Sequence, residues 1–245
     1  MRRWQARGGR VAALSVVAFL ALTACGSGKW HYITSSAEHT YAKIPRSWHR
    51  IDSRQIKEGL LNGVPGTQTR EIERSLLWVD GYDAAASPSV EHLLRYFDSA
   101  TEPVAYAQIR ELPPPERGLN VAPGEPGLQR FPESERGSVS LDSLRNSVLP
   151  VTDQARASVA EQGYDTTFEL LSEEILTPSN GIHGVRIVFN YAVNDSPVET
   201  FNQTAYTNAD ASKVYLFLVH CNAVCYSNHL DEIDEVAGSF TVEGS

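Results

Sequence analysis

The sequence predicts an α+β domain in which a β-sheet carries helices on both of its faces. Three observations predict it. Four strand-like segments follow one another at 166–176, 185–193, 198–207 and 213–221, and the turn Asn194-Asp195-Ser196-Pro197 makes the second and third a hairpin. The run Val214-Tyr215-Leu216-Phe217-Leu218-Val219 is apolar without alternation, as in a strand covered on both sides. Amphipathic segments stand before and after these strands and supply the two helical layers.

Recognisable structure starts near His39. Tyr41-Ala42-Lys43-Ile44 alternates like a strand and stops at Pro45, after which Trp48 and Ile51 resume the apolar pattern. Residues 53–61 read as a short helix with Ile56, Leu60 and Leu61 inward, and 75–82 as a strand ending at a Gly-Tyr-Asp turn. The next helix has the clearest local pattern. Ser87 caps it, Pro88 occupies its first turn, and Val90, Leu93, Leu94 and Phe97 recur at i, i+3, i+4 and i+7. Residues 104–112 alternate as another strand. Residues 113–138 hold six prolines and four glycines in 26 positions, which excludes a helix or a central strand and marks an irregular excursion. Helical character returns at 141–149 and 154–162, broken at Pro150 and stopped by Gly163. A last helix begins near Tyr226, with Leu230, Ile233 and Ala237 on one face and Asp231, Glu232, Asp234 and Glu235 on a solvated one. Ser239-Phe240-Thr241-Val242 closes the chain as a short strand.

The front of the chain is a different kind of segment. Arg2, Arg3, Arg7 and Arg10 precede a twelve-residue apolar stretch, 11–22, which falls short of the about 20 residues that span a bilayer. Charge, length and a small-residue exit match a cleavable secretory signal over 1–24. Leu22-Thr23-Ala24-Cys25 resembles the lipobox of bacterial lipoproteins, and that resemblance implies a diacylglyceryl group on the thiol of Cys25. Arg2-Arg3 opens a twin-arginine export motif that Trp4-Gln5-Ala6-Arg7 does not complete. Two or more acyl chains anchor a protein stably where one does not. The expectation is a cell-membrane protein on the extracytoplasmic face, held by lipid at Cys25. Residues 25–38, including Gly26-Ser27-Gly28-Lys29, read as a flexible tether, and 39–245 as a single domain. At about 3.6 Å per residue such a tether keeps the domain close to the bilayer.

Removing residues 1–24 takes away four arginines and no acid, so the formal charge falls from −9 to −13. A surface this acidic repels nucleic acid and anionic headgroups, which argues against both as partners. Cys221 and Cys225 are the two remaining thiols, and outside the cytoplasm such a pair usually forms a disulfide. The loop it closes is small, so the bridge contributes about 2 kcal/mol and fixes a local turn. His220, Cys221, Cys225 and His229 also have zinc-ligand chemistry within ten residues, the alternative to a disulfide with two incidental histidines.

No Gly-x-Ser-x-Gly elbow and no phosphate-binding loop occurs. Glu173-Glu174 and Asp231–Glu235 lack the spaced ligands of a calcium loop and read as solvated faces. Trp48 and Trp78 lie in strand-like surroundings and are expected in the core, whereas Trp30 is expected at lipid headgroups or at the domain's own edge.

Two stretches carry a resemblance. Ile44-Pro45-Arg46-Ser47-Trp48 is one. The other is the strand 214–219 running into Cys221-Asn222-Ala223-Val224-Cys225-Tyr226, then a helix and Ser239-Phe240-Thr241-Val242. Together they resemble the lipid-anchored actinobacterial members of the Mog1/PsbP-like superfamily, the LpqN-type lipoproteins. The resemblance covers 39–52 and 213–243. It implies a largely antiparallel sheet with helices packed on both faces, an α/β/α sandwich, and adaptor or accessory roles with no shared active site. It also favours the Cys221–Cys225 disulfide over zinc. The excursion at 113–138 departs from the compact form. The expectation is a non-catalytic envelope lipoprotein, without cofactor or metal, that binds a protein partner or an apolar small molecule. The alternative is an envelope hydrolase with an unmarked active site.

Overall fold

The structure, a computed structural model, describes residues 28–36, 39–97, 101–112, 139–178 and 180–243. The leader, Cys25 and the excursion at 113–138 lie outside the described residues. Two sheets form the frame. The smaller has β1 (Trp30–Ser35), β2 (Thr40–Pro45) and β10 (Thr241–Val242), with β2 in the middle. The larger has β3 (His49–Ile51), β4 (Leu77–Asp83), β5 (Val104–Glu111), β6 (Thr166–Leu176), β7 (His183–Val193), β8 (Glu199–Thr207) and β9 (Lys213–Asn222). Its order is β3-β4-β5-β9-β8-β7-β6, and every adjacent pair is antiparallel. The fold is α+β with antiparallel sheets.

The seamless apolar run is explained by the position of β9 between β5 and β8. Side chains alternate across a strand, so its odd and even residues enter different cores. Phe217, Val219 and Cys221 pack with the small sheet, with α6 (Ala223–Asn228) and with α7 (Leu230–Ala237). Leu216 and Leu218 pack on the opposite face, where α1 (Ser53–Leu60), α3 (Val90–Leu94) and α4 (Leu141–Arg145) contribute Ile56, Leu93 and Leu144. Each of these side chains is removed from water, at about 1.5–3 kcal/mol apiece. The expected hairpin is β7–β8; Asn194 takes the left-handed conformation its turn requires (φ 51°), which an Asn side chain tolerates.

Three expectations are corrected and one helix is added. Trp30–Ser35 lies within the expected tether but forms β1 along the whole of β2, because Ile33 buries against Ala42 and Ile44. The helix expected from Ser87 to Phe97 is the five-residue α3, capped by Ser89, whose hydroxyl accepts from the His92 N–H. Phe97 sits at φ 68° because its N–H donates to the Glu199 carboxylate and its ring joins Tyr191 and Phe201. The terminal helix is two helices, and Leu230 is exposed while Val236 takes the inward position beside Ile233 and Ala237. The segment 67–75, which shows no apolar periodicity, forms α2 (Thr67–Ser75).

The edge strand β6 keeps Leu170, Leu171 and Ile175 exposed, and its register shifts between Leu170 and Ser172. A bulge and the carboxylates of Glu169, Glu173 and Glu174 oppose pairing with another edge.

Candidate functional site

The helices on the face opposite α6 and α7 form two groups. α1 and α3 cover β4 and β5, whereas α4 lies over β7 and β8 and α5 (Asp153–Glu161) beside β6. Between the two groups runs a cavity of about 1540 Å³ that opens to solvent. Its floor is the sheet: Tyr106, Gln108 and Arg110 from one face of β5, Val214 and Leu216 from β9, Ile187 from β7 and Phe168 from β6. Leu60 and Leu94 wall one side, and the polar rim of α4 and α5, including Ser143, Asn146 and Thr152, walls the other. About half of the lining residues are polar or charged, most of them on the α4–α5 side, and the cavity is larger than the about 300–1,000 Å³ common for small-molecule sites.

Three arginines line this cavity, and they differ in what holds them. Arg145 donates to both Glu173 oxygens, at 2.6 and 3.2 Å, and to Asp142 at 2.6 Å. Arg156 donates to the Val151 carbonyl and to Asp153 (2.6 Å), and its guanidinium lies 4.3 Å above the Phe168 ring. Arg110 is only 15% exposed, and its nearest carboxylate oxygen, on Glu73, is 4.0 Å from Nη1. Its Nε and Nη2 have no hydrogen-bond partner. Burial pushes this guanidinium below its ordinary pKa, with Glu73 opposing. Four residues back along β5, also in the lining, the hydroxyls of Tyr96 and Tyr106 meet at 2.9 Å. Burial raises Tyr106 to about 12, so neither phenol is a base near neutral pH.

The sequence-predicted site residues lie elsewhere. Cys221 and Cys225, on the opposite face, have their sulfurs at disulfide distance, and Asn222 between them caps α6 by accepting from the Cys225 N–H. The zinc alternative does not form. His220 points to the other face of β9, where Nδ1 meets Glu199 and Nε2 donates to the Leu93 carbonyl, and His229 is exposed with Glu102 at 4.0 Å. Among the described residues no group of three or more His, Cys, Asp or Glu side chains is placed to hold a metal. Trp48 is buried in the core, and Trp78 packs half-buried against it. Trp30 lies at the domain's own edge with the ammonium groups of Lys29 and Lys43 at 4.5 and 5.0 Å from its ring centre.

Sequence reasoning missed the cavity. Its one signal was β5, where Ala105, Ala107 and Ile109 alternate with Tyr106, Gln108 and Arg110. A strand between two neighbours that sends a Gln and an Arg to one covered face marks a polar site inside a core.

No family model matches the chain, and no curated protein matches it in sequence. Similar solved structures include a cyanobacterial PsbP from Synechocystis sp. PCC 6803, at 13% identity over 96% of this chain and 98% of that one, with a TM-score of 0.44. The Ran-binding protein Mog1p of Saccharomyces cerevisiae is 9% identical over 87% and 95% of the two chains, with a TM-score of 0.39. LpqN of Mycobacterium tuberculosis, involved in cell envelope biogenesis, is 9% identical over 88% and 91%, with a TM-score of 0.38. Mog1/PsbP-like folds are therefore among the structures this chain is similar to.

Proposed function

We propose that this protein is a lipid-anchored, extracytoplasmic binding protein whose cavity on the α1–α5 face holds a long-chain amphiphile without chemical turnover. The observation that carries the reading is the cavity itself: about 1540 Å³, with an apolar stretch of floor at Val214, Leu216, Ile187 and Phe168, polar groups from β5 at one side of it, and a rim of polar helix residues. An apolar floor suits a hydrocarbon chain, and the volume exceeds what a compact metabolite fills. The anchor at Cys25 rests on the lipobox resemblance and would hold the site beside the membrane from which such a ligand comes. The hydrolase alternative has less support, since both ring nitrogens of His220 are occupied and Ser89 meets the backbone of His92 rather than its imidazole.

Native mass spectrometry of the mature protein, titrated with oleic acid, tests the reading. It expects a saturable complex that Ser147→Trp, which fills the cavity from its rim, removes. Absence of saturable binding, or binding untouched by that substitution, contradicts it. The N-terminal peptide from the same sample should carry a diacylglyceryl group on Cys25; an unmodified cysteine there removes the anchor.

A further inference from the structure

We infer that Arg110 is the headgroup site of this cavity and that its ligand is an amphiphile with a single anionic head, a carboxylate or a phosphate monoester. The inference rests on the binding reading above and narrows it.

Arg110 is a cation taken largely out of water, with one counter-charge, Glu73, at the outer limit of an ion pair and no hydrogen bond to it. Its side chain is 15% exposed, Glu73 stands at 4.0 Å, and Nε and Nη2 are unbonded. Withdrawing a charge from water is costly unless partners replace the lost hydration. The other two arginines of the cavity have such partners in Glu173, Asp142 and Asp153. An arginine with an incomplete set of acceptors is matched by an oxyanion, which here meets the guanidinium at the part the cavity leaves exposed, since Nε and Nη2 are covered by protein.

Placement agrees with the charge. On β5, Arg110 pairs with Val214 and Gln108 with Leu216, so the guanidinium stands beside the apolar floor rather than in the middle of it. From there the lining continues at Leu216 of β9 and, beyond β8, at Ile187 of β7 and Phe168 of β6. A ligand with its oxyanion at Arg110 lays its chain along that path. Gln108, the other polar side chain of this face of β5, can donate to a second head oxygen.

Displacement of bound cis-parinaric acid from the mature protein by oleate, oleyl phosphate and oleyl alcohol tests this. The three competitors share a chain and differ in the head. The two anions should compete at least tenfold better than the alcohol. Arg110→Met should abolish that preference while leaving the alcohol's affinity within twofold, and Arg110→Lys should retain part of it. Because the readout is a ratio of affinities in one sample, a general loss of folded protein does not mimic it. Preference for oleate over oleyl phosphate, or the reverse, identifies the head and supports the inference either way. Equal competition by all three in the unaltered protein overturns the inference and leaves the amphiphile reading standing. Failure of cis-parinaric acid and all three competitors to bind overturns both.

Discussion

Glu199 and His220 are bonded to each other in the interior, the carboxylate of β8 against Nδ1 of the imidazole on β9. The second carboxylate oxygen accepts the Phe97 N–H, and Nε2 donates to the Leu93 carbonyl. A carbonyl only accepts, so Nε2 carries a proton and one more lies between Nδ1 and Glu199. The pair ties two central strands to the end of α3, which is why that helix stops short.

Removing one partner leaves the other buried and unpaired, which costs about 3–5 kcal/mol. Glu199→Ala should destabilise the protein by that amount in urea unfolding. Glu199→Gln, which still accepts from Phe97, should cost clearly less. A Glu199→Ala protein as stable as the parent would show that the pair is dispensable.

A second acid–histidine pair should make stability depend on pH. The buried Asp83 accepts from His92 Nδ1 at 2.9 Å and from the N–H groups of Ala85 and Ser89. Burial acts to raise its pKa, but these hydrogen bonds outweigh burial and hold it below the usual carboxylate value. His92 is raised, first by the hydrogen bond to Asp83 against burial, with the charges of Asp83, Glu199 and Glu102 adding. A raised histidine stabilises fully below its unfolded value of about 6.5 and loses that contribution as pH climbs through its folded value. A lowered aspartate stabilises above about 3.9 and loses its contribution on acidification through its folded value. The Tm advantage of the parent over His92→Gln should therefore be larger at about pH 5.5 than at about pH 9. An advantage that grows toward alkaline pH would contradict this.

Gly81 has no space for a methyl group. A Cβ there would lie 2.7 Å from Leu93 Cδ2 and 2.8 Å from Ile56 Cδ1, the side chains that seat α3 and α1 on β4. Gly81→Ala should lower stability by about 1–3 kcal/mol, measured by thermal or chemical unfolding. A neutral result would mean that these helices shift freely on the sheet.

The Cys221–Cys225 bridge spans a separation of only 4 residues, and α6 has an independent cap in Asn222. Replacing both cysteines by alanine should cost no more than about 2 kcal/mol and leave the far-ultraviolet circular dichroism unchanged. Loss of the folded state would give the bridge a structural weight that its loop length does not support.

Much of the frame was legible because its signals are local. The apolar run 214–219 announced a strand covered on both faces, and the Asn194 turn announced β7–β8. Three features were not legible. β1 depends on the distant pairing of Trp30–Ser35 with β2. α3 reads as a longer helix until the Glu199 carboxylate, 102 residues away, captures the Phe97 N–H. The cavity lies between two helix groups of the folded chain, and Arg110 alone gives no hint that its partners are missing. A side chain's unmet hydrogen bonds are a property of its surroundings, and the sequence does not carry them.

Photolabelling with a diazirine-bearing fatty acid, followed by peptide mapping of the mature protein, tests the central claim most directly. Saturable labelling, competed by oleate, is expected on peptides that carry β5, β9 and the α4–α5 rim. Labelling confined to α6, α7 or the small sheet, or labelling that oleate does not compete, would contradict it.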